Sequence, residues 1–127
     1  MSEMNFLNLL TEKVIGLAIE VHRELGPGLL ESTYRKCLCY ELKDKNLIYQ
    51  EEEPVPIKLK KLVIDCAYRA DIIVEKKLII EVKAVENILP VHESQLLTYL
   101  KFTGIKLGLI LNFNVPLLKD GIVRKIF

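Results

Sequence analysis

Apolar residues at Phe6, Leu7, Leu10, Val14, Leu17, Ala18, Val21 and Leu25 recur three and four positions apart along the first part of the chain. That spacing puts them on one face of a helix, which turns once in about 3.6 residues. Gly26-Pro27-Gly28 should stop it, since glycine suits the terminal conformation and proline cannot continue a helix. A second helix is expected over about Leu30 to Lys45, with Leu30, Tyr34, Cys37, Leu38 and Leu42 turned inward. From Pro54 the period falls to two. Val55, Ile57 and Leu59 alternate with Lys58 and Lys60, as in a half-exposed strand. LVIDCAYRADIIV and LIIEVKAV read as longer strands, His92 to Thr103 as a helix, and KLGLILNF and GIVRKIF as closing strands. The order predicts an α/β domain with a mixed sheet of four to five strands flanked by helices.

Charged residues interrupt the most apolar part of this pattern. In YRADIIVEKKLIIEVKAV the even positions Ala70, Ile72, Val74, Leu78, Ile80 and Val82 are apolar, whereas Arg69, Asp71, Glu81 and Lys83 are odd. The apolar faces of the two strands align only if the connection keeps odd opposite odd, as a three-residue loop Glu75-Lys76-Lys77 does. Asp71 then lies across from Glu81, and Arg69 across from Lys83. Directly opposed side chains have Cβ atoms about 5 Å apart, so two carboxylates there repel. A divalent metal relieves that repulsion, because hard oxygen ligands are what Mg²⁺ selects. A cross-strand network in which Arg69 and Lys83 neutralise the acids relieves it as well. Spacing alone leaves both open.

Composition narrows the class without deciding it. The chain has 127 residues, is 50% hydrophobic and carries a formal net charge of +1. One domain spanning 1–127 with a sizeable core fits that length. Any nucleic-acid face has to be local, and Lys58/Lys60/Lys61 and Lys76/Lys77 are small clusters that read first as solvated, aggregation-resistant edges. Cys37, Cys39 and Cys66 form no CxxC pair and suggest a reducing cytoplasmic interior, with Cys37 and Cys66 acting as small hydrophobes. No signal peptide and no apolar stretch of about 20 residues is visible, so a cytosolic protein without a membrane partner is expected.

Further polar groups fall at suggestive places. His92, Gln95 and Tyr99 share a narrow arc of the third helix, beside the packed stripe of Leu96 and Leu100. Glu31 opens the second helix, where the helix dipole favours a carboxylate. His22 stands near the end of the first, where it suits the negative helix terminus.

Taken together, the blocks resemble a known pattern. Asp71 followed by Glu81-Val82-Lys83 resembles the D…ExK signature of the PD-(D/E)XK nuclease superfamily. Gln95-Leu-Leu-Thr-Tyr99 resembles the QxxxY element of RecB-like members, and Gly28-Leu-Leu-Glu31-Ser-Thr-Tyr34 the motif of the GxxExxY protein family. The likeness runs from about residue 12 to the C-terminus, with Ala70 in place of the signature proline, which is often absent in the superfamily. It implies a restriction-endonuclease-like core and brings Glu31 near Asp71 and Glu81. It also implies a Mg²⁺-dependent nuclease acting on DNA, or less readily RNA, with Mn²⁺ as a substitute ion. Asp71, Glu81, Lys83, Gln95 and Tyr99 would be catalytic, and Glu31, Asp71 and Glu81 the metal ligands. A nuclease-fold module that binds nucleic acid or a partner without turnover is the alternative. Homodimerisation would supply surface that so small a chain lacks.

Overall fold

The computed structural model describes residues 2–127. Helix α1 (Glu3–Leu25) is capped by Ser2, whose hydroxyl accepts the Asn5 N–H, and ends at Gly26, whose φ is +69°. Helix α2 (Glu31–Asp44) follows, then strand β1 (Tyr49–Pro54). A small ribbon, β2 (Ile57–Leu59) and β3 (Leu62–Ile64), comes next. The hairpin β4 (Arg69–Val74) and β5 (Leu78–Lys83) leads into α3 (Pro90–Thr103), β6 (Leu107–Asn112), a 3-10 turn (Leu118–Gly121) and β7 (Ile122–Ile126).

The main sheet has the order β1-β4-β5-β6-β7, antiparallel except for the parallel β5–β6 pair, which α3 connects. Its two faces are both covered. Ile72, Val74, Leu78, Ile80, Val82, Leu107, Leu109 and Leu111 pack against α1 and α2, while Ile73, Ile79 and Ile110 pack against Leu96, Tyr99 and Leu100 of α3. This mixed sheet between helices is the restriction-endonuclease-like architecture expected above. Among the described residues, no helix is long and apolar enough to cross a membrane.

Several expectations need correction. YQEEEP forms the edge strand β1, which has no apolar alternation because none of its residues is fully buried and its second half is exposed. LVIDCAYRADIIV is two strands divided by a bend over residues 65–68, and Cys66 in that bend is exposed. Cys39 rather than Cys66 is the buried thiol. Phe6, Leu25 and Leu30 face solvent. For Leu30 the reason is its place as the residue preceding α2, outside the helical stripe. His22 is buried, and its Nε2 lies 2.8 Å from the Val115 carbonyl, so it tethers the loop after β6 rather than serving the helix end.

The third helix lies close on the sheet because β6 has a glycine beneath it. A Cβ at Gly108 would come 2.6 Å from a methyl of Leu96, itself fully buried. Gly108→Ala should therefore destabilise the protein by about 1–3 kcal/mol through overpacking, read as a lower midpoint in urea. An unchanged midpoint would show that α3 has slack over the sheet.

Candidate active site

The β4–β5 register is set by the pairs Ile72–Ile80, Ile73–Ile79 and Val74–Leu78. The loop is thus the three residues Glu75, Lys76 and Lys77, with Glu75 and Lys76 both at positive φ. Continuing the same register by one step sets Asp71 opposite Glu81, and there the backbone ladder stops. Side chains take over its hydrogen bonds. The Asp71 N–H donates to Glu81 Oε2 at 2.9 Å, and the Val82 N–H donates to Asp71 Oδ2 at 2.8 Å. On the other flank β1 also skips this position: Glu51 pairs Ile72 and Glu53 pairs Ala70, while Glu52 between them sits at φ +53°. A buried N–H must find an acceptor, and these two carboxylates supply it where the ladder opens. That local role accounts for acids in an otherwise apolar hairpin.

Helix α2 brings the third carboxylate. Gly28, at φ +100°, makes the turn into the helix in a conformation that favours glycine. Tyr34 is fully buried and stacks on Phe113 with ring centroids 4.5 Å apart. Its hydroxyl donates to the Gly26 carbonyl and accepts the Leu29 N–H, closing the 26–29 loop onto α2. Glu31, at the first position of the helix, is thereby aimed at the end of β5. Its Oε2 accepts the Ala84 N–H at 3.0 Å. The glycine, the acid and the tyrosine of Gly28–Tyr34 are thus one device for holding Glu31.

From the opposite side of the sheet, α3 presents Gln95 and Tyr99. The Gln95 amide donates to the Tyr99 hydroxyl at 3.0 Å. Tyr99 is buried, and burial followed by the charges of Glu81 and Asp71 pushes its phenol up to about 12. His92 shares this face, but its Nδ1 accepts the Leu89 N–H and caps the helix. Pro90 at the first position starts α3 two residues before His92.

The electrostatics of the cluster follow from its burial. Glu81 is only 4% exposed, and its pKa is pushed up to about 8, first by burial and then by Asp71. Asp71 is raised by burial, against the opposing pull of the Val82 N–H, Lys83 and Arg35. Lys83 is half-buried at the end of β5, and its carbonyl is held by the Phe113 N–H at 2.9 Å. Among the described residues no ion pair involves Asp71, Glu81 or Lys83. Arg69 pairs with Pro54 in β1 and is exposed, so the neutralising network suggested by spacing is absent there. The second cation felt by Asp71 is Arg35, one turn beyond Glu31 and bonded to Glu51 at 2.8 Å.

This donor set suits a hard divalent ion. Each of the three carboxylates commits one oxygen to a backbone N–H. Among the described residues no buried side-chain polar atom lacks a partner, and no hydrogen bond engages the second oxygen of any of the three acids. Among those residues, too, no three acidic, histidine or cysteine side chains already meet as a ready-made ion cluster. The core of the site is the Asp71–Glu81 pair, with Glu31 approaching from α2.

A model of the PD-(D/E)XK nuclease superfamily matches residues 8–125. The chain belongs to that superfamily. No curated protein and no solved structure matches it. PD-(D/E)XK nucleases typically use divalent metals, in keeping with the paired carboxylates here. Two neighbours of the superfamily signature were not visible in the sequence pattern. Arg35 could have been found from its four-residue spacing to Glu31, but its partners lie in the acidic edge strand that periodicity passes over. Asn112, buried, bonds both the N–H and the carbonyl of Val85 and so fixes the chain just beyond Lys83. Only the parallel β5–β6 pairing brings it there.

Proposed function

We propose that the chain is a Mg²⁺-dependent nuclease that hydrolyses phosphodiester bonds in DNA, with RNA as the less favoured substrate. Within its superfamily we assign it to the RecB-like, GxxExxY group. The observation that carries this reading is the Asp71–Glu81 pair, desolvated, without an ion-pair partner, and with one oxygen of each acid left open. Asp71, Glu81 and Glu31 would hold Mg²⁺, or Mn²⁺ in its place, beside the Val82 backbone carbonyl. When bound, the ion supplies Lewis acidity toward the phosphate and lowers the pKa of an attacking water. Lys83 offers up to three N–H donors to the water or to the charge developing on phosphate oxygens. Gln95 fixes the Tyr99 hydroxyl, and the pair positions the phosphate from the α3 side. Free cysteines accord with a cytoplasmic setting, and a homodimer would extend the surface available to the nucleic acid.

A second reading is a nuclease fold that binds without cutting. The absence of a ready-made three-ligand cluster among the described residues favours it. Labelled single-stranded DNA, duplex DNA and RNA incubated with Mg²⁺, Mn²⁺ or EDTA separate the two. Cleavage is expected with either metal, none with EDTA, and none by Asp71→Asn, which keeps an acceptor for the Val82 N–H. Cleavage by Asp71→Asn at the wild-type rate would sink the metal-site assignment, and binding without cleavage would favour the second reading.

A further inference from the structure

A hollow of about 390 Å³ lies on the α3 side of the carboxylate pair. Ile57 and Tyr68 line it from the strand side, and His92, Gln95, Thr98 and Tyr99 line it from α3. Tyr99 belongs to both places. It borders the hollow and lies in the same buried cluster as Ala70, the residue before Asp71. Whatever fills the hollow therefore sits next to the reacting phosphate.

The lining has the chemistry of a nucleobase site. Tyr68 is 44% exposed, yet its backbone carbonyl is held by the Val55 N–H at 2.9 Å, so an aromatic plane is presented from anchored chain. Opposite it the Gln95 amide, which already donates to Tyr99, keeps its oxygen and a second N–H for a base edge, and the Thr98 hydroxyl, which donates to the Ser94 carbonyl, keeps its acceptor lone pairs. The volume is that of an ordinary small-ligand cavity, which one nucleotide fills. Beyond Tyr68, the β2–β3 ribbon carries Lys58, Lys60 and Lys61, all exposed and none in an ion pair among the described residues. These charges suit the phosphates of a strand leaving the hollow. A base inside a duplex must first be unstacked and unpaired at a cost of a few kcal/mol, which an unpaired base does not incur.

We propose that this hollow receives an unpaired base adjacent to the scissile phosphate, stacked on Tyr68, with the ribbon lysines gripping the strand beyond it. The preferred substrate is then single-stranded nucleic acid or the unpaired end of a duplex. This rests on the nuclease reading above and goes beyond it in naming the substrate's form.

The test uses the full chain, Ca²⁺ in place of Mg²⁺, and a short DNA oligonucleotide containing 2-aminopurine, offered single-stranded and as a blunt duplex. Wild type should bind the single strand more tightly and quench the 2-aminopurine. Tyr68→Ala should lose about tenfold or more in single-strand affinity and the quenching, with duplex binding little changed, while Tyr68→Trp retains both. Replacing Lys58, Lys60 and Lys61 together by alanine should make the salt dependence of single-strand binding shallower by about two in log–log slope. Tyr68→Ala binding and quenching like wild type would overturn the pocket while leaving the nuclease reading in place. Failure of wild type to bind or cut any oligonucleotide would overturn both. If light scattering found a dimer split by Leu59→Asp, with the salt slope unmoved by the lysine changes, the ribbon would belong to self-association and its assignment here would fall.

Discussion

Lys83→Ala is expected to lower Mg²⁺-dependent cleavage by about a hundred- to a thousandfold, the effect of removing one preorganised donor to developing charge. The side chain is half-buried at the end of β5, two residues past Glu81, and has no acid in an ion pair with it among the described residues. Its ammonium is therefore uncommitted. The fold should survive, because the Lys83 backbone is held by β6 and by the Phe113 N–H whatever the side chain. Loss of that cation also removes a field that lowers Asp71 and Glu81, so the variant should be less stable than wild type toward alkaline pH without metal. Lys83→Arg tells donor geometry from charge. Arginine should restore the metal-free pH dependence but little of the cleavage rate, since its planar fork does not replace a compact ammonium. Undiminished cleavage by Lys83→Ala would remove this residue from the mechanism.

The hairpin shows how far sequence carries and where it stops. Keeping Ile72, Val74, Leu78 and Ile80 on one face fixes odd against odd, and the Ile72–Ile80 pair bears that register out. What the alternation does not reveal is that the opposite face is buried too, with Ile73 and Ile79 under α3 and the acids at its open end. Nor does it reveal that the ladder ends at the acids, because hydrogen bonds from Asp71 and Val82 to side chains leave no mark on periodicity. Local signals found α2 but put Leu30 inside it, since an apolar residue at a helix boundary looks like part of the stripe. Long-range placements were the least legible. The Glu31–Ala84 bond joins residues 53 apart, and nothing in either neighbourhood announces the other. The edge strand β1 leaves no apolar period because Glu51 and Glu52 pair with Arg35 and Glu53 is exposed, so none of the three answers to a core.

Glu81→Gln should stabilise the metal-free protein while abolishing its response to metal. Glu81 has its folded pKa raised from 4.5 to about 8, so the native state retains a proton that the unfolded chain releases. For a carboxyl raised in this way, stability is fully present below pH 4.5, falls as pH rises, and levels off above about 8. The loss by pH 8 is on the order of 4 kcal/mol, at about 1.4 kcal/mol per unit. Glutamine keeps an oxygen to accept the Asp71 N–H, so the substitution removes the charge without orphaning the backbone. Without metal, the advantage of the variant over wild type should therefore widen as pH rises from 5 to 8. A cation held between ionised Asp71 and Glu81 acts in the opposite direction. Mn²⁺ should raise the wild-type melting temperature increasingly from pH 5 to pH 8, as more of the native protein ionises to bind it. In Glu81→Gln that rise should vanish, and cleavage with it. Urea denaturation and melting across this range, with EDTA or Mn²⁺, measure both slopes. A wild-type stability that stays flat from pH 5 to pH 8, together with equal metal responses in the two proteins, would mean that Glu81 carries neither the buried charge nor the ion.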